Sequence, residues 1–313
     1  MRNDPFGDLG KMRIVVSGAS GLLGTALTAF LRAGGHDVVR LVRGVPSDPT
    51  EVAWDPSSTG TIDEVALAGA DAFVHLSGES VSDGRWTDER RRRIIESRTK
   101  TTALIARTIA NVEKKPSVLL SASAIGFYGS RGEEQLDETS TTGSDFLADV
   151  CRQWEASTMA ASEAGVRTVH LRFGVVLSAK GGALTKLVPI FKMGLGGRIG
   201  DGRQFMSWVS LADAIHATHF ALFDPSLSGP VNVVSPNPVT NRALASVLGK
   251  VLGRPSFFPV PKAAIDLAFG EMGRETVLAS QRVAPRKLLA AGYRFEHETL
   301  ESALRFELGR PAT

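Results

Sequence analysis

The chain has 313 residues, more than the usual single domain of about 100–200 residues, so we expect one large domain with a smaller lobe. A net charge of +3, with 43% hydrophobic and 22% charged residues, is ordinary for a globular protein and argues against a nucleic-acid partner. No stretch approaches the roughly 18 apolar residues that would span a bilayer, and the N-terminus has no signal-like apolar region. The single cysteine, Cys151, excludes an internal disulfide, and we expect a cytoplasmic protein without a metal site or a membrane partner.

Residues 13–24 change from an apolar run into a glycine-rich turn. Ile14, Val15 and Val16 are typical of a buried parallel strand, and glycines follow at 18, 21 and 24. This order predicts a strand, a tight turn and a helix whose free N–H groups bind a dinucleotide pyrophosphate. The spacing is G-x-x-G-x-x-G rather than the standard G-x-G-x-x-G. The predicted phosphate-binding residues are Gly18, Ser20, Gly21, Leu22, Leu23 and Gly24.

Further along, strands and helices alternate. The pattern predicts helices over 22–33, 88–111, 146–165, 183–193, 241–252 and 262–269, with strands over 37–42, 51–54, 72–76, 117–121, 167–172 and 231–234. Alternation of this kind predicts an α/β fold, a doubly wound parallel sheet of Rossmann type with a smaller mixed C-terminal substrate lobe. Expected boundaries are a flexible extension over 1–11, a dinucleotide-binding domain over 12–178 with returning elements at about 207–235, and a lobe from 179–206 and 236–313.

The end of the second predicted strand indicates which dinucleotide binds. An acidic residue there would hold the ribose 2′-hydroxyl of NAD, but Asp37 stands at the beginning of the strand and Arg43 at its end. A guanidinium at that point binds a 2′-phosphate bidentately, which favours NADP(H) over NAD(H). The alternative is that Arg43 is an ordinary surface arginine in a turn.

Several further stretches resemble the extended short-chain dehydrogenase/reductases, in an epimerase-like subgroup also labelled NAD-dependent epimerase/dehydratase or SulA-like cell division inhibitor. They are residues 75–78 (HLSG), 121–129 (SASAIGFYG) and 171–177 (LRFGVVL), with the tail from about residue 249 to 306 similar to the uncharacterised C-terminal domain of that subgroup. The resemblance covers nearly the whole chain after residue 11 and implies a Rossmann-type fold with a bound dinucleotide. It adds as cofactor-binding residues Leu76, Ser77, Gly78, Glu79, Arg98, Ser121 and Ala122. For Glu79, which would face the ribose or act as a base, a capping role is the alternative, and for Arg98 the alternative is an exposed helix arginine.

The resemblance fails at the catalytic dyad. Relatives with known chemistry use Tyr-x-x-x-Lys, whereas neither Tyr128 nor Tyr293 is followed by lysine four positions later. Alignment on Glu155 puts Leu147 at the tyrosine position and Cys151 at the lysine position. The resemblance puts Ser123 at the family's active-site serine position, and we expect Ser123, with Tyr128 or an ordered water, to handle the proton. For Tyr128, packing as a loop aromatic is the alternative.

The sequence is compatible with two functions. The first is an NADP(H)-dependent epimerase or reductase acting on a small hydroxyl or carbonyl compound, including sugar derivatives, because a lobe over the cleft usually forms a pocket. The second is a catalytically silent dinucleotide-binding regulatory or interaction protein. The expected state is a monomer or a homodimer. Trp208 is expected to form a pocket wall, and Asp213 to cap a helix.

Overall fold

The structure is a computed structural model that describes residues 10–56, 60–63 and 67–311. Its elements in chain order are β1 (Arg13–Ser17), α1 (Leu22–Ala33), β2 (Asp37–Val42), β3 (Glu51–Asp55), β4 (Thr61–Ile62), β5 (Ala72–His75), α2 (Asp88–Asn111), β6 (Val118–Ala124), β7 (Gln135–Leu136), α3 (Phe146–Ala156), α4 (Met159–Glu163), β8 (Arg167–Phe173), β9 (Val175–Ser178), β10 (Gly181–Gly182), α5 (Ala183–Lys192), β11 (Phe205–Met206), β12 (Trp208–Ser210), α6 (Leu211–Phe223), β13 (Gly229–Val233), β14 (Val239–Thr240), α7 (Asn241–Leu252), α8 (Lys262–Phe269), α9 (Glu271–Thr276), β15 (Arg282–Val283), α10 (Arg286–Ala290) and α11 (Leu300–Glu307). The predicted extension lies outside the described residues apart from Gly10 and Lys11.

The main sheet has the strand order β13-β8-β6-β5-β1-β2-β3-β4. All neighbouring strands in it are parallel except β4, which pairs antiparallel with β3 at the edge. The chain runs outward from β1 in one direction and then returns to the other side, so the sheet is doubly wound. The predicted fold class is confirmed.

Helices cover both faces of this sheet, because successive strand residues point to opposite sides. Ile14 and Val16 belong to one apolar cluster with Leu27 of α1 and Ala214 of α6. Val15 belongs to the opposite cluster, which contains the buried face of α2. Strands buried on both faces explain the continuous apolar runs in the sequence.

The smaller mixed region is built from short sheets and helices around a separate core. Its sheets are β10-β9-β12, β11-β14 and β15-β7. The core includes Leu184 of α5, Leu248 of α7 and Leu304 of α11. Trp208 is fully buried in this core, so the expectation that it forms a pocket wall is wrong.

The predicted helix over residues 146–165 is two helices, α3 and α4. Ser157 donates its hydroxyl to the Gln153 carbonyl, and Thr158 donates its hydroxyl to the Glu155 carbonyl at 2.8 Å. Such side-chain bonds compete with the backbone ladder of a helix. The apolar periodicity continued across the break, which is why the pattern did not predict it.

In the described part of the chain, no helix is both long and apolar enough to cross a membrane.

Two glycines allow α1 to start directly against the turn after β1. A Cβ on Gly24 would overlap the Gly18 carbonyl oxygen and lie 2.7 Å from the Ala19 Cα. Gly18 has φ +72°, and a Cβ there would lie 2.7 Å from the Leu76 carbonyl carbon. The backbone of β1, the loop after β5 and α1 therefore meet at a distance that only glycine permits.

We predict that Gly24→Ala lowers the free energy of unfolding by about 2 kcal/mol or more, since the added methyl must displace backbone. Gly44→Ala is the matched control because a Cβ there meets nothing within 4 Å, and it should change stability by less than about 0.5 kcal/mol. Urea unfolding of both variants measures the difference, and equal stability would contradict the close-contact argument.

Candidate functional site

A cleft of about 930 Å³ opens at the carboxyl ends of β1, β2 and β5. This is the edge of the sheet at which the strand order reverses, where ligands bind in doubly wound folds. Its lining residues come from the glycine loop, the end of β2, β3 and the residue after it, the loop after β5 and one face of α2. They are Gly18, Ala19, Ser20, Gly21, Arg40, Leu41, Val42, Arg43, Glu51, Trp54, Pro56, Leu76, Ser77, Gly78, Glu79, Arg93, Glu96, Ser97, Lys100 and Thr101.

The glycine loop forms a cradle suited to an anion. The Gly21 N–H donates to the Gly18 carbonyl at 3.0 Å, which closes the turn before α1. Helix α1 starts after Gly21 without a side-chain cap and without an acidic residue in its first turn. Its N-terminal dipole is therefore not neutralised by the chain, and a phosphate is a fitting partner. Leu22, Leu23 and Gly24 form the first turn of α1, behind the cleft lining.

Two arginines reach the cleft, Arg40 from β2 and Arg43 directly after it, and in the described part of the chain only Arg40 is paired. Arg40 forms ion pairs with Asp48 at 2.5 Å and with Glu51 at 3.1 Å. Hydrogen bonds from the Ser47 backbone and hydroxyl lower the pKa of Glu51, so this carboxylate is already engaged. Arg43 is exposed and makes no ion pair within the described residues.

The loop after β5 is held by arginines of α2. Glu79 accepts from Arg90 Nη1 at 2.8 Å, while the Glu79 carbonyl accepts from Arg98 Nη2 at 2.9 Å. Arg98 lies 5.0 Å above the ring of Trp154, and burial lowers the pKa of its guanidinium. A Cβ on Gly78 would be 3.4 Å from Arg98 Cζ. Arg98 therefore supports the loop from behind and does not line the cleft.

The α2 residues that line the cleft differ from Arg98, the α2 residue that was predicted to bind the cofactor. Arg93, Glu96, Lys100 and their neighbours Ser97 and Thr101 lie on one helix face and line the cavity. Spacings of three, four and seven residues put side chains on one face, and this signal was present in the sequence. This spacing alone does not predict the lining, because it does not show which face of α2 meets the edge of the sheet.

Below the cleft, His75 connects two strands to α2. Its Nδ1 lies 2.6 Å from Ser17 Oγ and its Nε2 lies 3.3 Å from Thr101 Oγ1. The ring is fully buried, and burial lowers its pKa to about 3. The imidazole is neutral at pH 7 and its two nitrogens have hydroxyl partners, as expected for a core histidine.

Ser123 belongs to a buried ionic network beside the cleft. Its hydroxyl donates to Glu155 Oε1 at 2.7 Å. The same carboxylate accepts Arg172 Nε at 2.7 Å and Nη2 at 2.8 Å, in a bidentate pair. The Arg172 side chain is 3% exposed and that of Glu155 is 11% exposed, so each charge depends on the other.

The structure holds Tyr128 apart from the cleft lining. Its side chain is fully buried in the turn of 3-10 helix Ile125–Tyr128, its hydroxyl donates to Asn232 Oδ1 at 2.7 Å, and it accepts from Arg172 Nη1 at 3.0 Å. Burial raises the pKa of the phenol to about 12. Tyr128 thus extends the network of Glu155 and Arg172. Ser121 is fully buried and Ala122 nearly so, on β6 below Ser123.

Leu147 and Cys151 are packed against the turn after β6. A Cβ on Gly126 would lie 3.4 Å from Leu147 Cβ and 3.6 Å from Cys151 Sγ. Burial raises the pKa of the Cys151 thiol to about 12. Helix α9 adds a carboxylate here, since Glu275 accepts the backbone N–H of Leu147 at 2.9 Å. In the described residues, no group of three or more His, Cys, Asp or Glu side chains is placed to hold a metal ion.

A glycine-loop cleft at the switch point of a doubly wound sheet defines a Rossmann-type protein. The model of the NAD dependent epimerase/dehydratase family matches residues 14–234, and that of a domain of unknown function (DUF1731) matches residues 260–307. The chain belongs to the NAD dependent epimerase/dehydratase family.

Relatives and solved structures agree with this assignment. An epimerase family protein of Mycobacterium tuberculosis is 41% identical over 95% of this chain and 98% of its own length. The crystal structure of human epimerase family protein SDR39U1 with NADPH has 32% identity and a TM-score of 0.86, covering 95% of this chain and 99% of that one. The nucleoside-diphosphate sugar epimerase from Corynebacterium glutamicum has 38% identity and a TM-score of 0.81, covering 96% of this chain and 59% of that one.

The environment of His75 leads to a pH prediction. Because its folded pKa of about 3 lies below the ordinary value of 6.5, the unfolded chain binds the extra proton first. The stability that this difference maintains is complete above pH 6.5 and is lost as the pH falls toward 3. Between pH 7 and pH 5 we expect this one group to lower the free energy of unfolding by about 2 kcal/mol.

Denaturant unfolding at both pH values, in wild type and His75→Asn, isolates the contribution of this imidazole. The variant should be less stable at pH 7 but should lose about 2 kcal/mol less than wild type on acidification. Identical losses in the two proteins would show that the imidazole does not titrate between those pH values.

Proposed function

We propose that this protein binds NADPH in the glycine-loop cleft and is an epimerase or reductase acting on a small hydroxyl or carbonyl compound. The observation that carries the cofactor choice is the guanidinium of Arg43, which is free of ion pairs within the described residues and lies at the end of β2. Glu51, the carboxylate at this end of the cleft, is engaged by Arg40 and Ser47, so it does not offer a ready partner for a ribose 2′-hydroxyl. The NADPH in the human SDR39U1 structure supports the same choice.

The residues present fit this dinucleotide. The turn at Gly18, Ser20 and Gly21 and the uncapped first turn of α1 would hold the pyrophosphate. Gly18 is required in this turn because a Cβ there would have no room beside Leu76. Arg43 would hold the 2′-phosphate. The backbone of residues 76–79, supported by Arg98, would lie along the ribose side of the cleft. When bound, a nicotinamide dinucleotide supplies hydride transfer.

Ser123 is the polar group that we assign to the substrate oxygen. Its proton is donated to Glu155, which leaves the lone pairs of Ser123 Oγ to accept a hydrogen bond from a substrate hydroxyl. Arg172 fixes the Glu155 carboxylate, and Tyr128 fixes Arg172. Tyr128 is therefore a positioning residue that acts on Ser123 through Arg172 and Glu155. Leu147 and Cys151 would exclude water in the places where relatives carry the dyad.

A silent dinucleotide-binding protein is the second candidate. It is favoured by the packing of Leu147 and Cys151, which provides neither a phenol nor an ammonium beside Gly126. Both candidates require NADPH binding, and only the first requires turnover.

For the cofactor, we predict that wild type binds NADPH at least tenfold more tightly than NADH. Arg43→Ala should weaken NADPH binding by roughly 10- to 100-fold, the range for a charge-assisted hydrogen bond to phosphate, and should leave NADH binding unchanged. Arg92→Ala is the matched control, because Arg92 is exposed on α2 outside the cleft lining. Titration calorimetry measures all six affinities. Equal affinity of wild type for the two cofactors would end the NADP(H) assignment.

For catalysis, we predict NADPH-dependent turnover of at least one member of a panel of ketones and nucleotide sugars. Ser123→Ala should lower kcat by about 100-fold, as for loss of one preorganised polar group, whereas Ser226→Ala, an exposed serine beyond α6, should not. The readouts are NADPH absorbance and product analysis. Tight NADPH binding with no turnover across the panel would favour the silent protein.

A further inference from the structure

The large apolar side chains that are exposed in the described residues are concentrated in two segments. Seven of the eleven fall between residues 190 and 269, and the other four are scattered singly. Single exposed apolar residues are normal on a protein surface, whereas a concentration marks a binding surface. We call these seven residues the apolar ridge: Ile190, Met193, Leu195, Phe257, Phe258, Leu267 and Phe269.

The two segments of the ridge are fixed to one another by backbone contacts. The Phe258 N–H donates to the Gly196 carbonyl at 3.3 Å, and the Val260 N–H donates to the Arg198 carbonyl at 2.9 Å. A Cβ on Gly197 would overlap the Phe258 carbonyl oxygen. The rings of Phe257 and Phe258 lie 4.8 Å apart. The exposed side chains of the ridge are therefore held in fixed positions by the backbone contacts between the two segments.

One arm of the ridge, on α5, borders the loop that continues from the cleft. Ile190 and Met193 follow Lys186 at spacings of four and seven residues, so the three side chains share a helix face. Lys186 Nζ donates to the carbonyl and to the hydroxyl of Ser82, each at 3.1 Å. Ser82 lies three residues after Glu79, which lines the cleft.

The other arm, on α8, reaches the same loop from a second side. A Cβ on Gly270, directly after Phe269, would be 3.4 Å from Arg85 Nε. Glu271 forms an ion pair with Arg91 at the start of α2. The loop of residues 80–87 is thus contacted by Lys186 of α5 and by the backbone at Gly270 after α8, so both segments that carry the ridge adjoin the loop that leaves the cleft at Glu79.

Cations outnumber free carboxylates on the segments that carry the ridge and on the loop that they adjoin. Arg85, Lys186, Lys192 and Arg254 form no ion pair within the described part of the chain. Of the carboxylates on the same arms, Asp266 is paired with Arg274 and Glu271 with Arg91. The surface is therefore complementary to a molecule with an apolar body and a negative charge.

From these contacts we infer that the substrate is an amphipathic anion, whose alkyl or isoprenyl tail lies on the apolar ridge while its head group enters the cleft. This inference rests on the proposed function for the position of the head group and names the substrate class. A nucleotide sugar, which has no apolar tail, leaves the ridge unused. A second copy of the chain and a lipid surface are the other occupants that the experiment distinguishes.

The test uses the full chain saturated with NADPH and titrated with hexanoate, octanoate and decanoate below their micelle-forming concentrations. Burial of a methylene strengthens binding about fourfold, so the dissociation constant should fall about 15-fold for each added pair of methylenes. In the double variant Phe257→Ser with Leu267→Ser, this chain-length step, the fall in the dissociation constant for each added pair of methylenes, should be less than about threefold. Met159→Ser, an exposed methionine on α4, is the matched control and should keep the full step.

Three results would overturn the inference: affinity independent of chain length, an unchanged step in the double variant, or a step lost equally in Met159→Ser. Ultracentrifugation identifies the other occupants. A wild-type dimer that the double variant converts to monomer, or binding to phosphatidylglycerol vesicles without any chain-length step, would also overturn it. NADPH affinity is measured in parallel and should be the same in all three proteins. A wild-type protein that does not bind NADPH would count against the proposed function, while the chain-length series still tests the ridge.

Discussion

The close backbone contact among the turn after β1, the start of α1 and the loop after β5 is the constraint on which the site depends. Gly18 and Gly24 have no Cβ where one would meet Leu76 and the Gly18 carbonyl. Their absence lets α1 begin at the sheet edge, with its first turn uncapped and aimed at the cleft. Residues 76–79 are held in place by Arg98 and Arg90 from α2. The cleft exists because three pieces of backbone touch.

A second constraint is the buried charge network beside the cleft. Arg172 and Glu155 are withdrawn from water, and burial of either charge without the other would be strongly destabilising. Ser123 and Tyr128 complete their hydrogen bonds, so β6, α3, β8 and the turn after β6 are locked in one arrangement. This network gives Ser123 a fixed orientation. It also ties the cleft to the C-terminal half, because Asn232 links Tyr128 to the Ala284 carbonyl.

Much of the fold was predictable because local pattern and tertiary context agree. The bounds predicted for the helices over 22–33, 88–111, 241–252 and 262–269 match α1, α2, α7 and α8. Ser210 caps α6 by accepting the Asp213 N–H, and Asp213 takes part in this cap by accepting the Ser210 hydroxyl. The sequence did not give the bounds of α6 and α11. Of the other elements missed, short ones such as β7, β15 and α9 are stabilised by partners far along the chain rather than by their own periodicity.

The sequence by itself determined the sheet, the glycine turn and the arginine at the end of β2, because strand alternation, glycine spacing and charge are local properties. Only the tertiary structure decided that Ser123 donates to Glu155, that Tyr128 faces Arg172 and Asn232, and that one face of α2 lines the cleft. It also decided that apolar side chains 60 or more residues apart are exposed on adjoining segments, as one ridge. These are contacts between distant segments, and their distances follow from packing, which no local pattern encodes.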